Sequence, residues 1–213
     1  MKKLSKITES IWSDIQDRSA GDTVRKEDLI ITNEELRKKI RELYIEQGEG
    51  DTLDVSSLTN FICDDFSGIF SEFKKVKHII GLEDWDVSNV KDMHYMFYNC
   101  ENFNADLSKW DVSSVKDMTS MFLACENFNS DLSKWDVSNV EYMGFMFSGC
   151  INFNSDLSKW NVSRVKDMNC MFWNCKNFNS DLSNWNVSSV EDMKSMFARC
   201  ESLKQIPSWY KNK

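Results

Sequence analysis

Seven cysteines, two histidines and 34 acidic side chains are the groups in these 213 residues that could bind a metal, pair as disulfides or move protons. Five cysteines, Cys100, Cys125, Cys150, Cys175 and Cys200, recur every 25 residues. No Cys-x-x-Cys pair occurs, and the histidines are only His78 and His94, so the spacing of a zinc site is missing. A column of equivalent cysteines reads instead as a ladder of small buried apolar side chains. Asp106, Asp131, Asp156 and Asp181 form an acidic column in which stacked like charges repel. Lys109, Lys134 and Lys159, three positions on, or backbone donors would offset that repulsion; calcium held between successive carboxylates is the alternative, without a bidentate loop motif to support it. Catalysis finds no support. There is no Ser/His/Asp or Cys/His set and no phosphate loop, and no histidine follows His94, so neither enzyme activity, a cofactor nor a metal site is expected.

These columns exist because one 25-residue unit is written five times, with Met-Phe pairs beginning at Met96, Met121, Met146, Met171 and Met196 and tryptophans at Trp85, Trp110, Trp135, Trp160 and Trp185. Trp209 comes one residue early. A unit this short cannot bury its apolar face alone, so neighbours must stack into a solenoid. Within a unit, Val115, Met118, Met121, Phe122 and Cys125 are spaced by three or four, which predicts a short helix with Ser113, like Ser88, Ser138, Ser163 and Ser188, as its N-cap. Phe103, Leu107 and Trp110 predict an extended stretch pairing in parallel with that of the next unit. The fold expected is an α/β solenoid of leucine-rich-repeat type, one short parallel strand and one short helix per repeat, preceded by a helical N-terminal segment.

The flanks differ. Residues 1–50 predict two helices, Glu9 to Arg18 and Asn33 to Glu46, the second with Thr32 and Glu35 as a capping box and Gly48 and Gly50 as its stop. This segment is expected to dock or to cap. Residues 51–80 contain Asp54-Val55-Ser56-Ser57-Leu58, which matches the repeat. Phe61, Ile62, Phe66, Ile69, Phe70 and Phe73 follow it and predict a longer amphipathic helix in an atypical capping repeat. Residues 81–200 are the five repeats, and 201–213 close the far end.

Composition bounds the partners. Of 26 basic and 34 acidic side chains, 10 and 11 lie in residues 1–50, so about all of the net −8 sits on the repeats. Nucleic acid needs a basic stripe that is absent, and an anionic membrane would repel the chain. No apolar run near 18 residues predicts membrane insertion. Over MKKLSKITESIWSDIQDRS, acids and amides interrupt every possible apolar core of a signal peptide.

Read as Phe-Asn-x-Asp-Leu-Ser-x-Trp-(Asp/Asn)-Val-Ser-x-Val-x-x-Met-x-x-Met-Phe-x-x-Cys over residues 82–200, the unit resembles that of BspA-like leucine-rich-repeat surface proteins, also called the mycoplasma lipoprotein repeat. The resemblance implies a bacterial cell-surface or secreted protein that adheres to host proteins or cells and is not a catalyst. The missing export signal points the other way, to a cytoplasmic or phage-particle setting if the chain is complete. The opening, with Ile-Trp-Ser-Asp-Ile-Gln-Asp-Arg-Ser, looks similar to N-terminal stretches on proteins of gut Bacteroides-type bacteria and their phages.

Positions repeated in every unit serve the stack, so binding residues belong in columns that vary. Asn104, Asn129, Asn154 and Asn179, with Asn102, Asn127, Asn152 and Asn177, read as asparagine ladders satisfying backbone groups. Flanking the Met-Phe pairs, Tyr95, Ser120, Phe145, Cys170 and Ser195 form one variable column, and Tyr98, Leu123, Ser148, Trp173 and Ala198 another. The large members Tyr95, Tyr98, Leu123, Phe145 and Trp173 are the candidate partner-binding residues, since aromatic side chains dominate interface energetics; half-buried packing is the alternative. The expected function is non-enzymatic protein binding, with a structural spacer or assembly part attached through residues 1–50 as the other reading.

Overall fold

The computed structural model describes residues 30–58 and 61–212; the helix expected over Glu9 to Arg18 lies outside them. The described chain is a largely irregular repetitive fold with few regular elements: helix α1 (Asn33–Glu46), strands β1 (Thr52–Asp54) and β2 (His78–Ile80), and 3-10 turns η1 (Leu82–Asp84) and η2 (Ser208–Asn212). β1 and β2 pair in parallel, Leu53 opposite Ile79.

The repeats hold neither the predicted helix nor the predicted strand among the described residues. In place of the helix is a run of linked turns. The N–H of Met96 donates to the Met93 carbonyl (3.2 Å), Tyr98 to Tyr95 (3.0 Å) and Cys100 to Phe97 (3.0 Å). The alternate N–H groups leave the unit: Tyr95 donates to Thr119 (3.0 Å), Phe97 to Met121 (2.9 Å) and Asn99 to Leu123 (2.8 Å). A helix would spend those donors on the carbonyl four residues back. Left-handed backbone at Tyr95 (φ 56°) and Asn99 (φ 61°), repeated at Ser120 and Ala124, Phe145 and Gly149, Cys170 and Asn174, Ser195 and Arg199, excludes it outright. Turns linked every three residues bury the same positions a helix would, so apolar spacing cannot separate the two.

Parallel pairing is confined to one residue per unit, through the bridges Asp65 to Asp92, Asp92 to Asp117, Asp117 to Tyr142, Tyr142 to Asp167 and Asp167 to Asp192. It lies before the Met-Phe pair, not over Phe103 to Trp110. In that stretch side chains replace the backbone ladder. The Leu107 N–H donates to Ser130 Oγ (3.1 Å) and the Asn129 N–H to Asn104 Oδ1 (2.8 Å).

The core is a column of rings. Phe70, Phe97, Phe122, Phe147, Phe172 and Phe197 stack with centroids 5.4–5.8 Å apart and nearly parallel planes. Phe103, Phe128, Phe153 and Phe178 form a second column, and Trp135, Trp160, Trp185 and Trp209 a third. Each later indole is tied to the preceding unit: Trp135 Nε1 donates to the Leu107 carbonyl and Trp160 Nε1 to Leu132, both at 2.9 Å. Cys100, Cys125, Cys150 and Cys175 are buried as expected and Cys200 at the end of the column is half-buried, with the Cys150 thiol donating to the Phe122 carbonyl (3.0 Å). Burial pushes these thiols up, Cys100 to about 12.

The amphipathic helix expected over Phe61 to Phe73 is likewise absent. This stretch is a divergent first unit in the same turn run, with Gly68 (φ 59°) in the place of Tyr95 and the N–H groups of Gly68 and Phe70 donating to His94 and Met96 of the next unit. The end is covered by α1, which forms over the residues expected and carries the Thr32–Glu35 capping box. Its Leu36 and Ile40 are fully buried, Asn33 Nδ2 donates to the carbonyls of Asp65 (3.1 Å) and Ser67 (2.9 Å), and Arg41 pairs with Glu72. At the far end Trp209 Nε1 donates to the Leu182 carbonyl (2.8 Å), and Tyr210 packs edge-on against Phe197.

Candidate functional site

The serines taken as N-caps have no helix to cap. In Asp-Val-Ser the serine N–H donates to the Oδ1 two residues back, at Ser88, Ser113 and Ser138 to an aspartate (3.0 Å each), and at Ser163 (3.2 Å) and Ser188 (3.1 Å) to Asn161 and Asn186. Only that one oxygen is used, which is why Asp and Asn exchange freely there. The acidic column from Asp106 is built alike. The Ser108 N–H donates to Asp106 Oδ1 (2.9 Å), and Asp131, Asp156 and Asp181 repeat the bond. The serine backbone, then its hydroxyl, hold the carboxyls of Asp106, Asp131 and Asp156 below the usual range, with Lys109, Lys134 and Lys159 adding less.

Both asparagine columns are ladders. Asn127 Nδ2 donates to Asn102 Oδ1, Asn152 to Asn127 and Asn177 to Asn152 (3.1–3.2 Å), and the backbone N–H groups of Asn129, Asn154 and Asn179 each donate to the Oδ1 one unit back (2.8 Å). Their hydrogen bonds are spent inside the stack, so they offer little to a partner.

The variable columns are different. Tyr95 is 41%, Tyr98 38% and Phe145 37% exposed. The Tyr95 and Tyr98 rings meet edge-on, centroids 5.6 Å apart. Leu123 and Trp173 are half-buried, and the guanidinium of Arg199 lies 5.0 Å above the Trp173 ring. Of the small residues in the same columns, Ser120 (2% exposed) and Ser148 (3%) are covered, Cys170 and Ala198 are half-buried and Ser195 is exposed. The structure thus brings Tyr95 and Tyr98 together, places Phe145 in Tyr95's column two units away, and sets Trp173 against an arginine.

Backbone geometry sharpens this. Tyr95 and Phe145 are left-handed, a region in which a bulky residue costs on the order of 1 kcal/mol or more relative to glycine. The turn would be relaxed with Gly, as at Gly68, or with Asn. Large aromatics there are retained against the local preference of the backbone.

Two features of this face were not anticipated. Tyr142, 41% exposed, takes a place held by aspartate in the neighbouring units, and Lys166 Nζ lies 5.7 Å from its ring centroid. His94 lies next to Tyr95, with its ring edge-on to that tyrosine (5.5 Å) and Nδ1 2.7 Å from Asp92 Oδ1. Tyr142 breaks the aspartate column it stands in, a signal present in the sequence, whereas His94 stands in a column that differs in every unit. No helix of the described residues is long and apolar enough to cross a membrane.

The family described as a Mycoplasma protein of unknown function, DUF285, matches the chain over residues 64–158 and again over 138–212. No curated protein and no solved structure matches it.

Proposed function

The chain belongs to the DUF285 family of Mycoplasma proteins of unknown function, and on that premise we propose that it is a non-enzymatic protein-binding module, a solenoid related to the leucine-rich type that presents one aromatic face to a partner. The observation that carries this reading is the pair Tyr95 and Phe145, large exposed aromatics held at φ 56° and 58° where the stack gains nothing from them. Tyr98 and Tyr142 extend the same face. Large aromatic side chains, tyrosine above all, are among those that supply most of the energy at protein interfaces, about 2 kcal/mol or more for each hot spot. The fold around them needs no partner for its own core, since the Phe, Trp, Met and Cys columns are already closed.

The test uses residues the stack already tolerates. Tyr95→Ser, Tyr98→Ala, Tyr142→Asp and Phe145→Ser each install the residue found at the equivalent position of another unit, Ser120, Ala198, Asp117 and Ser195. Proteins captured by the full chain from its source cells and their surroundings are identified by mass spectrometry and compared with those captured by the fourfold variant. Loss of a specific protein with an unchanged denaturation midpoint supports the reading. Equal capture by both chains removes it.

A further inference from the structure

We propose that Asp92, His94 and Asp117 form a binding site for a divalent transition-metal ion of the zinc class. One ligand atom from each of the three, a carboxylate oxygen from each aspartate and a ring nitrogen of the histidine, lies within 4.8 Å of the others, and all three side chains are half-buried. The two carboxylates come from successive units joined by the Asp92 to Asp117 bridge, and the imidazole stands beside them.

The turn uses only half of what these residues offer. Asp92 Oδ1 accepts the His94 N–H (2.9 Å), and Asp117 Oδ1 accepts the Thr119 N–H (2.8 Å). Asp65, Asp167 and Asp192 do the same for Ser67, Asn169 and Lys194. These aspartates therefore have a structural task that one oxygen fulfils. The histidine ring adds a contact of its own, Nδ1 2.7 Å from Asp92 Oδ1, that the turn does not require in the other units. Its column holds Ser67, Thr119, Gly144, Asn169 and Lys194 in the other units, so the stack accepts almost any side chain there.

Charge balance points the same way. In the neighbouring column, acids are paired with lysines one unit away: Asp64 with Lys91 (3.2 Å) and Glu141 with Lys166 (2.5 Å). Among the described residues no lysine or arginine forms an ion pair with Asp92 or Asp117. Two carboxylates on adjacent units repel unless a cation lies between them. Asp167 and Asp192 repeat the pair without an imidazole, and so supply a control within the molecule.

The donor set selects the ion. Calcium and magnesium prefer oxygen alone, whereas one imidazole with two carboxylates suits zinc, cobalt or nickel. Zinc binds nitrogen and oxygen at about 2.0–2.2 Å, which sets tetrahedral ligands roughly 3.3 Å apart. A small rotation of half-buried side chains closes the present cluster to that spacing. Three protein ligands leave a coordination position for water or an incoming group. The histidine must bind as the neutral ring, and metal replaces a proton in the contact between His94 and Asp92.

The chain has only two histidines, so imidazole NMR of the full untagged protein titrated with zinc chloride reads the site directly. His78, exposed on β2, is the internal reference. The expected result is movement of the His94 ring signals with His78 unchanged, and one site by calorimetry. His94→Asn and Asp117→Asn should each weaken binding about tenfold or more, while Asp167→Asn leaves it unchanged. Asparagine stands at His94's position in another unit, and it can accept the turn hydrogen bond of Asp117, so both variants should melt like the parent. Unmoved His94 signals, equal movement of both histidines, or binding that survives His94→Asn would overturn the site, the last by placing the metal on Cys170 or on acidic surface.

Discussion

Single residues in this stack are constrained by backbone sign more than by size. Ala124 and Gly149 occupy the same left-handed position in adjacent units, at φ 62° and 78°. Gly149→Ala has room, since an added Cβ would meet Ala124 Cα at 3.4 Å, so its cost is conformational, about 1 kcal/mol. Ala124→Gly should have the opposite sign and smaller size. Urea melts of the two variants check this, and equal signs would refute the conformational account. The thiols make a second test. Burial raises the pKa of Cys100, Cys125, Cys150 and Cys175 above the ordinary value near 9. The folded chain therefore retains protons that the unfolded chain releases, so the stabilisation is complete below about pH 9 and falls as pH rises towards the folded values. At pH 10 each such thiol lowers stability by on the order of 1 kcal/mol. Melts at pH 8 and pH 10 should show that fall, and Cys150→Ala should reduce it by one thiol's share. Cys170, partly exposed outside the column, should be the first thiol a disulfide reagent labels in the native protein.

At the scale of the element, the tryptophan column shows what a unit gains from the one before it. Trp110, Trp135, Trp160 and Trp185 each donate Nε1 to the leucine carbonyl of the preceding unit. Trp85, at the head of the column, has a buried Nε1 without a partner among the described residues. Trp135→Phe removes the indole bond to the Leu107 carbonyl, which keeps the Trp110 N–H as a donor (3.1 Å), as well as losing volume, whereas Trp85→Phe loses only volume and an orphaned donor. The first should destabilise by about 1 kcal/mol more than the second, the net worth of one hydrogen bond, and denaturant midpoints that fall together would show that the indole bonds contribute nothing. Helix α1 is the one element whose stability is local. Thr32→Ala removes one arm of its capping box, Thr32 Oγ1 accepting from the Glu35 N–H (3.2 Å), and keeps the other, Glu35 Oε2 accepting from the backbone N–H of residue 32 (2.8 Å). A loss of about 1 kcal/mol is expected.

Across the whole molecule, register is the quantity that matters. Asparagine ladders and ring stacking run from one residue to its equivalent 25 further on, and backbone and indole bonds also join each unit to the next at a fixed offset, as in Tyr95 to Thr119 and Trp135 to Leu107. Removing residues 126–150 takes out one period and leaves every column continuous, so the shortened chain should fold with a lower melting temperature, having lost one interface between units. Removing 126–149 shifts every downstream column by one and places Phe and Cys out of line with their partners. That variant should lose its cooperative transition. Circular dichroism and urea melts of the two deletions distinguish a stack held by register from a chain held by nonspecific collapse.

The period, the buried columns, the ladders of asparagine and the capped helix α1 were legible in the sequence, because each depends on a residue's identity and its recurrence. Cys125, Met121 and Phe122 are buried whatever backbone carries them. What the sequence could not separate was the backbone itself. Linked turns and a helix bury the same three-and-four spacing, and the choice was made by donors such as the N–H groups of Tyr95, Phe97 and Asn99, which bond to the next unit and not to their own. Of the candidate face, Tyr95, Tyr98 and Phe145 were visible as breaks in their columns, but Trp173 is shielded by Arg199, and Asp92, His94 and Asp117 meet only across the boundary between units. Composition and period determine which residues recur. Which of them come within reach of each other is decided by the stacking, since the contact is made between residues 25 apart whose side chains the turns aim to the same side.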